Sequence, residues 1–161
     1  ENKKLTHDTI VECGYGYVRP EQHIFPREYA EDLAERICAS MRLPEDGICV
    51  LKLCNRTRGA GVVPVPAAEL DGVLRKLLCP PENVEAWLRE QPRGWFASVD
   101  IGCFEEQVRH WWSNECPVFI AEPLCASAAT VLADGRAFDG TMRVGFSLHR
   151  EHRERVPPGW L

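Results

Sequence analysis

The segment with the strongest chemical character is residues 51–63, where a lysine on an apolar run is followed by a glycine-bearing loop. Lys52 lies in the run Ile48–Leu53, which is typical of a buried strand, and a lysine there needs an anionic partner because burial penalises an unpaired charge. Gly59 and Gly61 allow the left-handed backbone with which glycine loops present N–H groups to phosphates. The pattern predicts a phosphate-binding loop, and the plainer alternative is a β-hairpin with a lysine at its solvent end.

Two later segments carry polar groups that suit a nucleotide. Residues 118–125 form an apolar run with an acid, Glu122, near its end, and a flat base is bound by apolar walls and a few placed hydrogen bonds. Residues 134–144 begin with an Asp-Gly turn and continue through Asp139 to Arg143, whose guanidinium matches phosphate oxygens. The plainer alternative for residues 118–125 is a core strand that enters a turn. The plainer alternative for residues 134–144 is an exposed cross-strand ion pair.

In this order, the three segments resemble the ATP-grasp fold over residues 48–148. The resemblance implies a mixed α/β (α+β) fold with ATP-grasp-like strand-rich lobes and flanking helices. It also implies an ATP-binding domain of a ligase that activates a carboxylate as an acyl phosphate and couples it to an amine. ATP and Mg²⁺ are the cofactors so implied, and the small-molecule or peptide substrate stays unidentified.

The same resemblance implies residue roles. Lys52 would contact the phosphates, Glu122 would accept from the adenine amino group, and Arg143 would be the catalytic residue that clamps phosphate or acyl phosphate. The other nucleotide-binding residues predicted in this way are Arg58, Gly59, Ala60, Gly61 and Val62 in the loop, Leu124 and Cys125 after Glu122, and Asp139 near Arg143. The acid-then-asparagine pair that holds Mg²⁺ in that family has no counterpart after Arg143, so the metal ligands stay unassigned and turnover by this chain stays open.

A function of a different class is a non-catalytic protein-interaction module. Trp95, Trp111 and Trp112 lie in a segment, residues 80–115, that would be an insertion in the ATP-grasp-like region. An exposed aromatic surface around these tryptophans would dock a protein partner.

The composition limits the classes of partner. The 161 residues carry a net charge of −5 and contain no run of about 18 apolar residues, so we expect neither nucleic acid nor a membrane as partner. A single domain or a domain fragment over residues 1–161 is expected, and the start at Glu1, without Met or a signal pattern, indicates a piece of a longer protein. The eight cysteines lack zinc-knuckle spacing and lie mostly in apolar stretches, which favours buried free thiols in a reducing cytoplasmic or other intracellular compartment over disulfides or a metal site.

Hydrophobic periodicity predicts the secondary structure that must hold these groups. The predicted helices cover residues 26–41, 70–78, 84–90 and 104–112. The predicted strands cover residues 48–53, 62–65, 117–122 and 141–148, with a hairpin turn at Asp134 and Gly135 and a strand or loop over residues 9–18.

Overall fold

The structure is a computed structural model that describes residues 2–84, 86, 104–125 and 128–139. The chain forms two compact units, Glu1–Cys125 and Ala126–Leu161. Its helices and antiparallel sheets give an α+β fold. None of the helices in the described ranges is long and apolar enough to cross a membrane.

The first unit contains a four-stranded antiparallel sheet. Its strands are β1 (His23–Pro26), β2 (Ile48–Leu53), β3 (Val62–Pro66) and β4 (Val118–Pro123), in the spatial order β1-β4-β2-β3. β2 and β3 form a hairpin around the glycine loop, and β4 inserts between β1 and β2 from far along the chain. The two central strands, β2 and β4, are therefore the predicted lysine strand and the predicted glutamate strand.

Four helices with bounds in the described ranges accompany this sheet. They are α1 (Lys3–Glu12), α2 (Leu33–Met41), α3 (Leu70–Leu78) and α4 (Phe104–Trp112), with short 3₁₀ turns at Gly16–Val18 and Ala67–Glu69. α2 buries Leu33, Ile37 and Met41, which recur every four residues and so lie on one helical face. This spacing is why an amphipathic helix forms here and packs on the sheet.

The hydrophobic core occupies one face of the sheet. Successive side chains of a strand point to opposite faces, so Leu51 points to the same face as its cross-strand neighbours Ala121 and Val63. All three belong to the core cluster, together with the buried side chains of α2, α3 and α4. Trp111 is fully buried, and its ring meets that of Phe119 edge-on at 5.4 Å between centroids. The opposite face of the sheet is left for other contacts.

The described part of the second unit is a short hairpin. β5 (Ala129–Val131) pairs antiparallel with β6 (Ala137–Asp139). Gly135 takes a φ of 82° at the turn, and its N–H donates to Leu132 O at 2.9 Å. The predicted Asp-Gly hairpin turn is confirmed, whereas the predicted strand over residues 141–148 lies outside the described residues.

Two sequence predictions near the N-terminus are wrong. Residues 9–18 were expected to be strand or loop, yet residues 9–12 are the end of α1 and Gly16–Val18 is a 3₁₀ turn, with loop only between them. α1 begins after Asn2, which caps it by accepting from the N–H groups of Lys4 and Leu5. The helix expected from residue 26 begins only at Leu33, because Pro26 belongs to β1, a strand that the sequence reading missed. Of the helix predicted over residues 84–90, Val84 and Ala86 are helical and the other positions lie outside the described residues.

Candidate functional site

The candidate site is the face of the sheet that points away from the core. Lys52 lies opposite Ile120, and Val50 lies opposite Glu122. On the far side of β4, Ile24 pairs with Ile120. The face therefore carries one acid and one base on an aliphatic surface at the centre of the sheet.

Lys52 and Glu122 form an ion pair on this face. They lie diagonally across the two central strands, which brings the Lys52 ammonium onto Glu122 Oε1. The Glu122 side chain is 7% exposed and that of Lys52 is 24% exposed. A buried carboxylate is stable only with charged or hydrogen-bonding partners, so Lys52 is what permits Glu122 here.

Gln22 completes a polar trio. Its amide Nε2 donates to Glu122 Oε2 at 2.7 Å, which continues the β1–β4 register by one residue beyond His23. Both oxygens of Glu122 thus accept a hydrogen bond. The side-chain oxygen of Gln22, Oε1, is by contrast buried with no donor among the described residues. The trio therefore retains an unmet acceptor.

The trio also keeps capacity for a ligand. An ammonium group has three N–H donors, and among the described residues Lys52 uses one of them, toward Glu122. A carboxylate accepts at about four lone-pair positions, of which Glu122 uses two. The partly exposed lysine can therefore bind an anion while the glutamate accepts from an amino group.

The predicted glycine loop directly follows β2 and has unusual backbone. Arg58, Gly59 and Gly61 all take positive φ, at 56°, 82° and 72°. Gly59 is exposed, and a Cβ added there would meet nothing within 4 Å. At Gly61, an added Cβ would lie 2.4 Å from the Leu53 side chain. The first glycine is thus open to a ligand and the second is required by packing.

Of the five loop residues predicted to bind phosphate, three have N–H groups that the fold itself uses: Ala60, Gly61 and Val62. The N–H of Ala60 donates to Thr57 O at 3.1 Å, and that of Val62 donates to Gly59 O at 3.1 Å. The Gly61 N–H donates to the Gln107 side chain on α4. The other two predicted residues, Arg58 and Gly59, have N–H groups without an acceptor within the described part of the chain, as do Asn55, Arg56 and Thr57 before them. Arg58 and Gly59 are the predicted residues whose amides are left for an anion.

The residues after Glu122 are placed at the end of β4. The N–H of Leu124 donates to Ile48 O at 2.9 Å, so this amide is already bonded within the sheet. The Leu124 side chain is 53% exposed, and Cys125 is exposed as a free thiol. Their apolar side chains, rather than the Leu124 amide, are available to a ligand.

The remaining predicted site residues belong to the second unit. Asp139 lies on β6 opposite Ala129. Arg143, the predicted catalytic residue, lies outside the described residues. The structure thus brings together Lys52, Glu122 and the glycine loop, and it places Asp139 in the separate hairpin.

Of the tryptophans expected to form a docking surface, Trp111 and Trp112 lie among the described residues. Trp111 is 0% exposed, and its indole N–H donates to Gly61 O at 3.2 Å. Trp112 is half-buried and donates to Lys76 O at 3.0 Å, while Trp95 lies outside the described residues. Trp111 therefore packs in the core and stabilises the glycine loop through this hydrogen bond.

The cysteines in the described ranges are free thiols, and fewer are buried than their apolar surroundings suggested. Only Cys49 and Cys54 of these seven are fully buried, and burial raises their pKa to about 12 and about 11. The neighbouring Cys116 raises the pKa of Cys54 further. These two thiols are protonated at neutral pH and are poor nucleophiles.

Two functional residues were missed from the sequence. Gln22 precedes β1, and the short run His23–Pro26 between two prolines was the signal that could have found this strand. Gln107 lies one helical turn before Trp111 on α4, and no sequence pattern predicts the hydrogen bond that it accepts from the Gly61 N–H.

A magnesium site does not fit the described residues. No group of three or more His, Cys, Asp or Glu side chains among them could hold a metal ion. The Glu122 carboxylate, the acid at the site, is already engaged by Lys52 and Gln22. No step of a mechanism is therefore assigned to Mg²⁺.

Comparison of the chain with family models, with curated proteins and with solved structures found no match.

Proposed function

We propose that the protein binds an adenine nucleotide on the outer face of its four-stranded sheet. The observation that supports this most directly is the pairing of Lys52 with Glu122, which are 70 residues apart in sequence and adjacent on the two central strands. In this proposal, Lys52 and the Arg58 and Gly59 amides hold phosphate oxygens. Glu122 accepts from the adenine amino group.

The surroundings of the pair agree with this role. Val50 and Ile120 lie beside Glu122 and Lys52 on the same face, and they give the apolar surface that a flat base needs. Leu124, with its exposed side chain, lies two residues beyond Glu122. The proposal extends the ATP-grasp resemblance, by which the nucleotide would activate a carboxylate as an acyl phosphate; that step rests on the resemblance alone.

The alternative of an aromatic docking module has less support. It requires Trp111 to be available to a partner, and this side chain is fully buried. We therefore favour the nucleotide.

Nucleotide binding is tested by calorimetry and thermal shift with ATP, GTP and inorganic triphosphate, each with and without Mg²⁺. A ligand at 100 times its Kd stabilises a protein by about 2.7 kcal/mol, which is measurable in a domain of this size. We expect ATP to stabilise the protein more than GTP does, because Glu122 accepts from the amino group that adenine carries at C6, where guanine carries a carbonyl oxygen instead. Equal melting temperatures with and without millimolar ATP would contradict the proposal.

The residue roles are tested with three variants. Lys52→Met leaves Glu122 buried without its cation, so the free energy of unfolding of this variant also falls. The double variant Lys52→Met/Glu122→Gln removes both charges, and its new amide oxygen still accepts from Gln22. We expect this double variant to fold and to lose ATP binding. Lys4→Met is the control of equal charge change, since Lys4 pairs with Asp8 within α1.

A further inference from the structure

The outer face of the sheet is covered although no helix of the core cluster lies on it. Ile120 is 0% exposed and Val50 is 7% exposed, and both point away from the core. Neither belongs to the core cluster, which contains no residue before Phe25. Some other part of the chain must shield these side chains from water.

Residues 2–22, which we call the N-terminal strap, are bonded to this face at both ends. At one end, the Lys3 N–H donates to Cys54 O at 2.8 Å, and the Lys3 ammonium donates to Leu53 O at 2.9 Å and to Arg56 O. At the other end, Gln22 donates to Glu122. The strap thus spans the outer face from the start of the glycine loop to the proposed adenine acceptor.

The side of α1 that faces the sheet follows from its burial pattern. Lys3, His7 and Ile10 are half-buried and recur at helical spacing, so they lie along one face of α1. Leu5, on the opposite face, is 65% exposed. The half-buried residues of α1 therefore form a narrow and partly polar stripe.

This cover is weakly built. α1 contains no fully buried residue. The four side-chain atoms in the described ranges that are buried without a hydrogen-bond partner all belong to the strap or to the loop beneath it: His7 Nδ1, Arg19 Nη1, Gln22 Oε1 and Arg56 Nε. A buried polar group without a partner favours any state in which water reaches it. The closed position of the strap is held by few bonds and is opposed by these four atoms.

We propose that the strap is an autoinhibitory cover, which opens by local unfolding and exposes the Lys52–Glu122 face to its ligand. The inference rests on the proposed nucleotide function for its purpose, while the opening itself does not depend on that function. When only a fraction of the molecules is open, the apparent affinity for a ligand is reduced by that fraction. Loosening the strap should therefore strengthen nucleotide binding.

The test compares Lys3→Met with Lys4→Met, two neighbouring substitutions of equal charge and size. Lys3 holds the strap to the loop, whereas Lys4 bonds to Asp8 within α1. Opening is measured by the rate of thiol labelling, located by peptide mass spectrometry. Cys54 lies beneath the strap, since its carbonyl accepts from Lys3, and Cys49 belongs to the core cluster and reports global unfolding.

We expect Lys3→Met to label Cys54 about five-fold faster, to leave the labelling of Cys49 unchanged and to bind ATP about five-fold more tightly. Lys4→Met should resemble the wild type in Cys49 labelling and in ATP binding, and it should label Cys54 no faster than the wild type does, because Lys4 also lowers the pKa of Cys54. Lys3 lowers the pKa of Cys54, so loss of its charge alone would slow labelling. A faster reaction therefore reports exposure.

The outcomes separate the two proposals. If Cys54 is labelled no faster in Lys3→Met than in the wild type, the strap is a fixed part of the fold and the inference is overturned. If Cys54 labelling accelerates and Lys3→Met binds ATP no more tightly than a wild type that does bind it, the strap opens without inhibiting and the inference is also overturned. If no variant binds ATP, the proposed function fails, and accelerated labelling of Cys54 alone still supports an opening cover.

Discussion

Gly59 and Gly61 have similar backbone angles and different surroundings. An alanine at Gly61 would be strained by the backbone φ of 72° and would also collide with the Leu53 side chain. An alanine at Gly59 would be strained only by the φ of 82°. We expect Gly61→Ala to lower the free energy of unfolding by about 2–4 kcal/mol and Gly59→Ala by about 1–2 kcal/mol. Urea denaturation of both variants measures this difference, and equal losses would contradict the packing role of Gly61.

The buried thiol of Cys49 makes stability depend on pH at the alkaline end. Its pKa is raised from 9.0 to about 12, first by burial and then by the neighbouring Cys38 and Glu122. Above pH 9 the unfolded chain releases this proton and the folded chain keeps it, so the unfolded state is favoured as pH rises. The stabilisation is complete below pH 9 and is lost progressively between pH 9 and about 12.

We therefore expect Cys49→Ala to lose less stability than the wild type between pH 8 and pH 10. One such group changes the free energy of unfolding by up to about 1.4 kcal/mol for each pH unit. Denaturant midpoints at four pH values measure the slope. Cys125→Ala is the control, since Cys125 is exposed, and it should keep the wild-type slope. Parallel slopes for wild type and Cys49→Ala would contradict the assignment.

Among the elements, α4 has a second function besides filling the core, because it anchors the glycine loop. Gln107 accepts from the Gly61 N–H and Trp111 donates to the Gly61 carbonyl, so both backbone groups of one glycine are bonded to this helix. Gly61 is itself buried, so water does not replace a lost partner. The loop position is thereby tied to the packing of a distant helix.

We expect Gln107→Leu to lower the free energy of unfolding by about 1–3 kcal/mol, since it leaves the Gly61 N–H buried without an acceptor. Hydrogen exchange at the Gly61 amide should accelerate in this variant. Glu106→Leu is the matched control on the same helix, because the Glu106 side chain is 70% exposed and should tolerate the change. If the Gly61 amide exchanges at the wild-type rate in Gln107→Leu, α4 does not stabilise the loop.

The elements also show what the sequence could and could not predict. α2, α3 and α4 and the strands β2, β3 and β4 have long or strongly patterned apolar runs, and their positions were predicted to within a few residues except for the start of α2. β1 has four residues and gains its stability from pairing with β4, which local pattern does not reveal. α1 has weak amphipathicity and depends on its Asn2 cap and its bonds to the sheet, so it was misread.

The candidate site was predictable in its residue types and only partly in its geometry. The sequence singled out Lys52 and Glu122 separately, because each stands out on an apolar strand. Their direct pairing depends on β4 lying beside β2, a long-range contact that spacing alone does not supply. The occupancy of the Gly61 amide was invisible for the same reason, since Gln107 belongs to another element.

At the scale of the whole molecule, the sheet and the described hydrophobic core both belong to the first unit. β4, which completes the sheet, ends at Pro123, two residues before that unit ends. The core residues run from Phe25 to Ala121. All members of the described core cluster therefore precede residue 126.

We accordingly expect a chain that ends at Cys125 to fold without the second unit. A domain of this length can bury enough apolar surface to fold alone, and its unfolding should be a single cooperative transition. Circular dichroism during urea denaturation measures this, and tryptophan fluorescence, to which the buried Trp111 contributes, should give the same midpoint. The variant Trp111→Ala, which empties the centre of the core, should lose about 3–5 kcal/mol in the shortened chain as in the full one. A gradual transition, or different midpoints from the two probes, would mean that residues 126–161 contribute to the core of the first unit.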